Sequence, residues 1–264
     1  MNVWLSIVKK ELRMQRGVAL VILAALVLVS SLGMWFAFTK NEVASGLFLL
    51  IPLALHVFFL PLYMLNSIQK EWKHTSTTFL QMPISGWKLL SAKLVSGLLY
   101  FLISFTILFV VCGIAFRVGP DADFWQRVQW EFGAADGENL MVFSQYASLT
   151  TQAYLYLLGA LLYANLSLVA FTTLFSVVVQ WVRNTIRKAA GLITFLVCVG
   201  FIWLLLLIAD TTVYDKLTRW GQISFSTHGI SLGHIYTGAV LIDLLLTVAL
   251  FLFSGWLIDR KVEV

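Results

Sequence analysis

Long runs of apolar residues, each ended by basic or turn-forming positions, dominate the chain. Six of them, Gly17–Thr39, Gly46–Ile68, Leu90–Phe116, Ala153–Trp181, Ala189–Ala209 and Thr237–Ile258, reach the ~20 residues that a helix needs to cross a hydrocarbon layer about 30 Å thick. They predict an all-α integral membrane fold of six spans. Four intervening pieces differ in character. Asn2–Gln15 places Trp4, Ile7, Val8 and Leu12 at helical spacing, with Lys9, Lys10, Arg13 and Arg16 mostly elsewhere, the pattern of an interfacial elbow helix lying under the inner leaflet. Gln69–Leu89 carries a polar, Thr-rich stretch stopped by Pro83, as a short cytoplasmic helix would be. The outer segments Arg117–Gln152 and Asp210–Tyr236 mix acidic residues with Phe124, Trp125, Trp130, Phe132, Tyr214 and Trp220, which suits helices dipping into the outer headgroups. With no internal repeat or low-complexity tract, residues 1–264 read as one transmembrane domain.

Composition sharpens this picture. The 264 residues are 60% hydrophobic and 12% charged, against roughly 45–50% and 25% in average soluble domains, and the mean hydropathy is +0.88. An ordinary soluble protein is excluded. The net charge of +5 contains no basic run longer than two residues, so membrane topology explains it better than nucleic acid. With the N-terminus inside, 13 of the 18 lysines and arginines face the cytoplasm: Lys9, Lys10, Arg13, Arg16, Lys70, Lys73, Lys88, Lys93, Arg183, Arg187, Lys188, Arg260 and Lys261. Only Lys40, Arg117, Arg127, Lys216 and Arg219 fall outside. The positive-inside rule then places both termini in the cytoplasm of a multi-pass cell-membrane protein. The first run is too long for a signal-peptide core and lacks a small-residue cleavage site, so it is expected to be retained. Cys112 and Cys198 lie within apolar runs and read as fillers rather than a disulfide framework or metal site.

The segment between spans two and three carries the most distinctive pattern. Glu71, Thr75, Thr77 and Leu80 are followed by Pro83-Ile84-Ser85 and then Lys93, while Lys10-Glu11 sits in the N-terminal helix. This resembles the permeases of type-2 ABC exporters, and the six-span plan extends the resemblance over essentially the whole chain. It implies a subunit that pairs with a second permease, identical or related, above two cytoplasmic ATPase subunits. The loop at residues 69–89 is then the coupling helix docking into the ATPase. On physical grounds, Glu71, Lys73 and His74 would meet charges on the motor, and Trp72, Phe79 and Leu80 would fill an apolar socket. Thr75, Thr77 and Pro83 complete the coupling set. A solvated helix at the headgroups is the plainer alternative. No Gly-Lys pair occurs in the sequence, so a phosphate-cradling P-loop is missing, and ATP with Mg is expected in the partner rather than in this chain. The resemblance further implies a pathway beside spans two and five, with His56 and Trp203 as candidate lining residues and an amphipathic cargo such as a drug, an antimicrobial peptide or a lipid.

Other chemistry is weaker. Gly229-Ile230-Ser231-Leu232-Gly233 fits Gly-x-Ser-x-Gly and lies beside His228 and His234, but a nucleophile elbow needs a strand-to-helix turn in a sheet, and no sheet is expected here. Zinc at the two histidines lacks an i, i+4 pair and a nearby acidic ligand. His56 lies between Pro52 and Pro61, where it serves either a pathway or a structural hydrogen bond. Asp243 lies close enough to the outer end of its span to snorkel. Asn165 and Ser167 read as interhelical hydrogen-bonding groups rather than a glycosylation site. A motor-independent carrier or immunity protein is the alternative function, with an intramembrane serine protease last.

Overall fold

A computed structural model describes residues 3–39, 42–74, 84–118, 143–185, 190–227 and 230–261. It is mostly helical: α1 (Val3–Phe38), α2 (Glu42–Leu55), α3 (Phe59–His74), α4 (Gly86–Val118), α5 (Phe143–Thr185), α6 (Ala190–Ala209), a short α7 (Thr212–Thr218) and α8 (Thr237–Lys261), with strands β1 (Gln222–Thr227) and β2 (Ile230–Tyr236) before α8. Among the described residues five helical stretches are long and apolar enough to cross a membrane: Val3–Phe36, Leu47–Trp72, Gly86–Ile114, Tyr154–Arg183 and Thr237–Arg260. A sixth is reached when Phe195–Ala209 and Thr212–Thr218, which meet at a 76° bend, count as one span. Val21, Leu28, Trp35, Leu50, Leu62, Ile103, Leu155, Leu196 and Leu245 are all exposed on these helices. Surface of that kind and extent is stable against lipid chains rather than water.

Three expectations change. The N-terminal stretch and first span form one uninterrupted 36-residue helix, about 54 Å long, rather than an interfacial helix followed by a span. Nothing breaks it: Gly17 is tolerated inside a helix, and no proline intervenes. Its Ile7, Val8, Glu11 and Gln15 are buried, so that face packs into protein, where a carboxylate and an amide can find polar partners that acyl chains do not offer. Second, the fourth span lies within a 43-residue helix that begins at Phe143, well before Ala153; residues 119–142 of the preceding outer segment lie outside the described residues.

Third, the 210–236 segment is helical only in its first part. After α7, capped by the Thr211 hydroxyl accepting from the Tyr214 amide at 3.2 Å, β1 and β2 pair antiparallel. The alternation Gln222-Ile223-Ser224-Phe225-Ser226 has the period of a strand, not a helix. Gly221 opens the hairpin at φ 67°, a left-handed conformation costly for other residues, and its carbonyl accepts from both the amide and hydroxyl of Thr237 at the start of α8. Ser231 pairs with Ser226 inside this hairpin, away from any strand-to-helix turn, so the hydrolase elbow is not formed although a small sheet exists.

The chain divides into two compact units, one of Met1–Val8, Pro61–Leu94 and Leu166–Val264, the other of Lys9–Leu60 and Val95–Asn165. In the second, Phe101, Ser104, Phe105 and Leu108 recur at i, i+3, i+4 and i+7 along α4 and are all buried. Phe101 and Phe105 stack at 5.9 Å, and Tyr154 closes on Phe105 at 5.4 Å. Gly33 of α1 lets Leu49 come so close that an added Cβ would lie 3.0 Å from it, the small-residue contact by which membrane helices approach. In the first unit Ile68, Leu89, Leu90, Val169, Val177, Leu257 and Ile258 are buried.

Candidate functional site

The residues bordering the expected coupling loop are fastened by polar contacts that apolar spans seldom contain. Glu71 belongs to the last described turn of α3. Lys93 of α4 answers it: Nζ lies 2.6 Å from Glu71 Oε2 and donates to Ser67 Oγ at 2.8 Å, with the two charged side chains 0% and 2% exposed. Ser67 precedes Glu71 by one helical turn, so both acceptors share one face. The pair joins the helix entering the loop to the helix leaving it.

A second fastening lies at the start of α4. The Ser85 carbonyl accepts from the amides of Lys88 and Leu89, leaving the Gly86 amide for the Asp259 carboxylate of α8, at 2.6 Å. An anion at a helix N-terminus satisfies an orphan donor and opposes the dipole. The approach requires glycine on both sides. A Cβ at Gly86 would meet the Gly255 carbonyl at 2.6 Å, and one at Gly255 would meet the Trp87 amide at 2.8 Å. The Trp4 indole N–H donates to Ser91 Oγ at 3.0 Å, attaching the beginning of α1 to the same part of α4.

Of the coupling residues singled out in the sequence, Glu71 is thus an internal ion-pair partner. It neither caps a short helix nor presents its charge at the surface, because residues 71–74 continue α3. Trp72 is partly buried, and its indole N–H has no acceptor among the described residues. Lys73 lies within α3. Thr75, Thr77, Phe79, Leu80 and Pro83 lie outside the described residues. Asp259 and Ser67 escaped sequence reasoning. The pairing of small residues Gly86 and Gly255 was their available signal, but it acquires meaning only once the two helices meet.

The second span holds another polar site. Pro52 interrupts α2, and Pro61 sits in the first turn of α3; neither can donate, and each ring crowds the carbonyl four residues earlier. Between them His56–Phe58 tightens to a 3₁₀ turn. The Asn165 side chain of α5 enters this break. Its Oδ1 accepts from the Leu60 amide at 3.1 Å, and its Nδ2 donates to the His56 carbonyl at 3.0 Å and to the Leu161 carbonyl at 2.8 Å. A side-chain amide therefore bridges the Leu60 amide and the His56 carbonyl, the two groups that a regular helix would pair directly. The His56 ring is buried, with Nδ1 2.8 Å from the Pro52 carbonyl and Nε2 3.2 Å from Ser104 Oγ. A carbonyl only accepts, so Nδ1 carries a proton, while Nε2 lies beside the Ser104 hydroxyl, which also reaches the Phe101 carbonyl at 3.0 Å. Phe59, Phe101 and Phe105 surround the ring at 5.9, 5.9 and 6.0 Å.

The interhelical reading of Asn165 is borne out, and Ser167 Oγ accepts from Thr247 of α8 at a long 3.5 Å. Trp203 is 63% exposed on α6 and belongs to the other compact unit from His56. Asp243 is partly buried in α8. Among the described residues no group of His, Cys, Asp and Glu could hold a metal ion.

These features define the class: a multi-pass helical membrane protein with polar fastenings at the ends of its helices and within one span. Comparison with known proteins finds no matching family, curated relative or solved structure.

Proposed function

We propose that the chain is the transmembrane subunit of an ATP-driven exporter of the type-2 ABC permease kind. In this reading it forms half of a translocation pathway, completed by a second copy or a related permease. Two cytoplasmic ATPase subunits bind ATP and Mg and supply hydrolysis. His56 and Trp203 are assigned to the pathway half. The cargo is amphipathic, in keeping with strongly apolar spans and short outer segments.

One observation carries the reading: the buried Glu71–Lys93 pair across the loop. A transporter driven by a separate motor needs a lever whose two arms move together. A solvated connector has no need of a buried ion pair joining its ends, since burying two charges costs several kcal/mol per ion before they attract. Docking of the intervening segment through Phe79 and Leu80, with Trp72, Lys73, Thr75, Thr77 and Pro83 around them, would turn motor motion into helix motion.

Phe79→Ala and Leu80→Asp test this. An apolar anchor at an interface is worth about 2 kcal/mol, roughly 30-fold in association, whereas an exposed helix position matters within about 0.5 kcal/mol. Both variants should accumulate normally in membranes yet lose ATPase co-purification and transport-coupled hydrolysis. Unchanged coupling in both would leave a motor-independent carrier or immunity protein as the better reading.

A further inference from the structure

The break in span two differs from a proline kink left to itself. In an unbroken helix the Leu60 amide would donate to the His56 carbonyl. Here that carbonyl accepts from the Phe59 amide, closing the 3₁₀ turn, and from Asn165 Nδ2, while the Leu60 amide turns to Asn165 Oδ1. The amide thus presents an acceptor to the donor and a donor to the acceptor. Its third bond, from Nδ2 to the Leu161 carbonyl, lies within its own helix.

This arrangement has a second state in which neither the Leu60 amide nor the His56 carbonyl is left unpaired. If the amide withdraws, the Leu60 amide and His56 carbonyl regain each other, and Asn165 keeps its bond to Leu161. Nearby groups tolerate the change. The Ser104 hydroxyl has one proton and two acceptors within reach, His56 Nε2 at 3.2 Å and the Phe101 carbonyl at 3.0 Å. Pro61 cannot donate to the Val57 carbonyl in either state, so the regular ladder never becomes complete enough to hold the break shut.

We propose that span two is a two-state joint in which the Asn165 side-chain amide enters and leaves the place of the Leu60 amide to His56 carbonyl hydrogen bond. Entry holds His56–Phe58 as a 3₁₀ turn, and withdrawal restores the regular helical bond there. The break opens and closes by exchanging hydrogen bonds rather than losing them, which gives the bistability a switching element requires. This inference does not rest on the exporter reading and holds for a carrier equally.

The test uses the full chain in lipid bilayers. His-Val occurs once in the sequence, at His56–Val57, and Leu-Pro once, at Leu60–Pro61. Labelling with ¹³C-carbonyl histidine and ¹⁵N-valine, or with ¹³C-carbonyl leucine and ¹⁵N-proline, therefore isolates a single carbonyl on each side of the break in a nitrogen–carbonyl solid-state NMR spectrum. The His56 carbonyl should give two signals, or one line broadened by exchange, with populations that shift with temperature. Asn165→Leu, which cannot bridge the break, should retain only the withdrawn-state signal. A single narrow His56 line at all temperatures overturns the joint, as do two signals that persist in Asn165→Leu. The wild-type temperature series is decisive by itself if that variant does not accumulate.

Discussion

A lysine with no exposed surface persists at residue 93 because two conditions are met together: a carboxylate at 2.6 Å and a hydroxyl at 2.8 Å. Such pairs contribute little net stability compared with apolar residues of equal volume, yet breaking one strands a buried charge at about 3–5 kcal/mol. Glu71→Gln or Lys93→Met alone should therefore lower stability in detergent by about that amount. The double variant Glu71→Leu/Lys93→Met should recover most of it, as read from thermal unfolding midpoints. Additive losses in the double variant would show that the two side chains do not depend on each other. The sequence marked both residues through their motif. It could not pair them, since charge identity alone does not tell an internal partner from one on another protein.

Among the elements, those with a single strong period were legible and those with competing signals were not. Continuous apolar runs marked every long helix, because backbone groups in hydrocarbon must be paired within the segment. The hairpin at residues 222–236 carries an equally readable period of two, but its position between two spans suggested interfacial helices. The first span and the segment before it form one helix because charge at Lys9, Lys10, Arg13 and Arg16 changes where a helix sits, not whether it continues. Contact between α4 and α8 depends on backbone proximity at Gly86 and Gly255. Gly86→Ala inserts a methyl group 2.6 Å from a carbonyl and should cost about 1–3 kcal/mol through forced separation. Gly113→Ala, where an added Cβ meets nothing within 4 Å, is the control and should hold or raise the unfolding midpoint.

For the whole molecule, the 13 basic residues on the expected inner side against five on the outer predict an orientation with both termini inside. In a background with Cys112 and Cys198 replaced by serine, Lys216→Cys should react with an impermeant maleimide added outside intact cells. Lys88→Cys should react only after permeabilisation, and the opposite pattern would invert the topology. The sequence by itself determined that the chain belongs in a membrane, which stretches are apolar enough to cross it, and which polar residues are costly enough to need a reason, because hydropathy and charge act locally along the chain. Tertiary structure alone decided what those polar residues do. Asn165 closes a helix break, Asp259 caps another helix, and Lys93 neutralises Glu71, because each hydrogen bond joins positions far apart in sequence and is defined only when the helices meet.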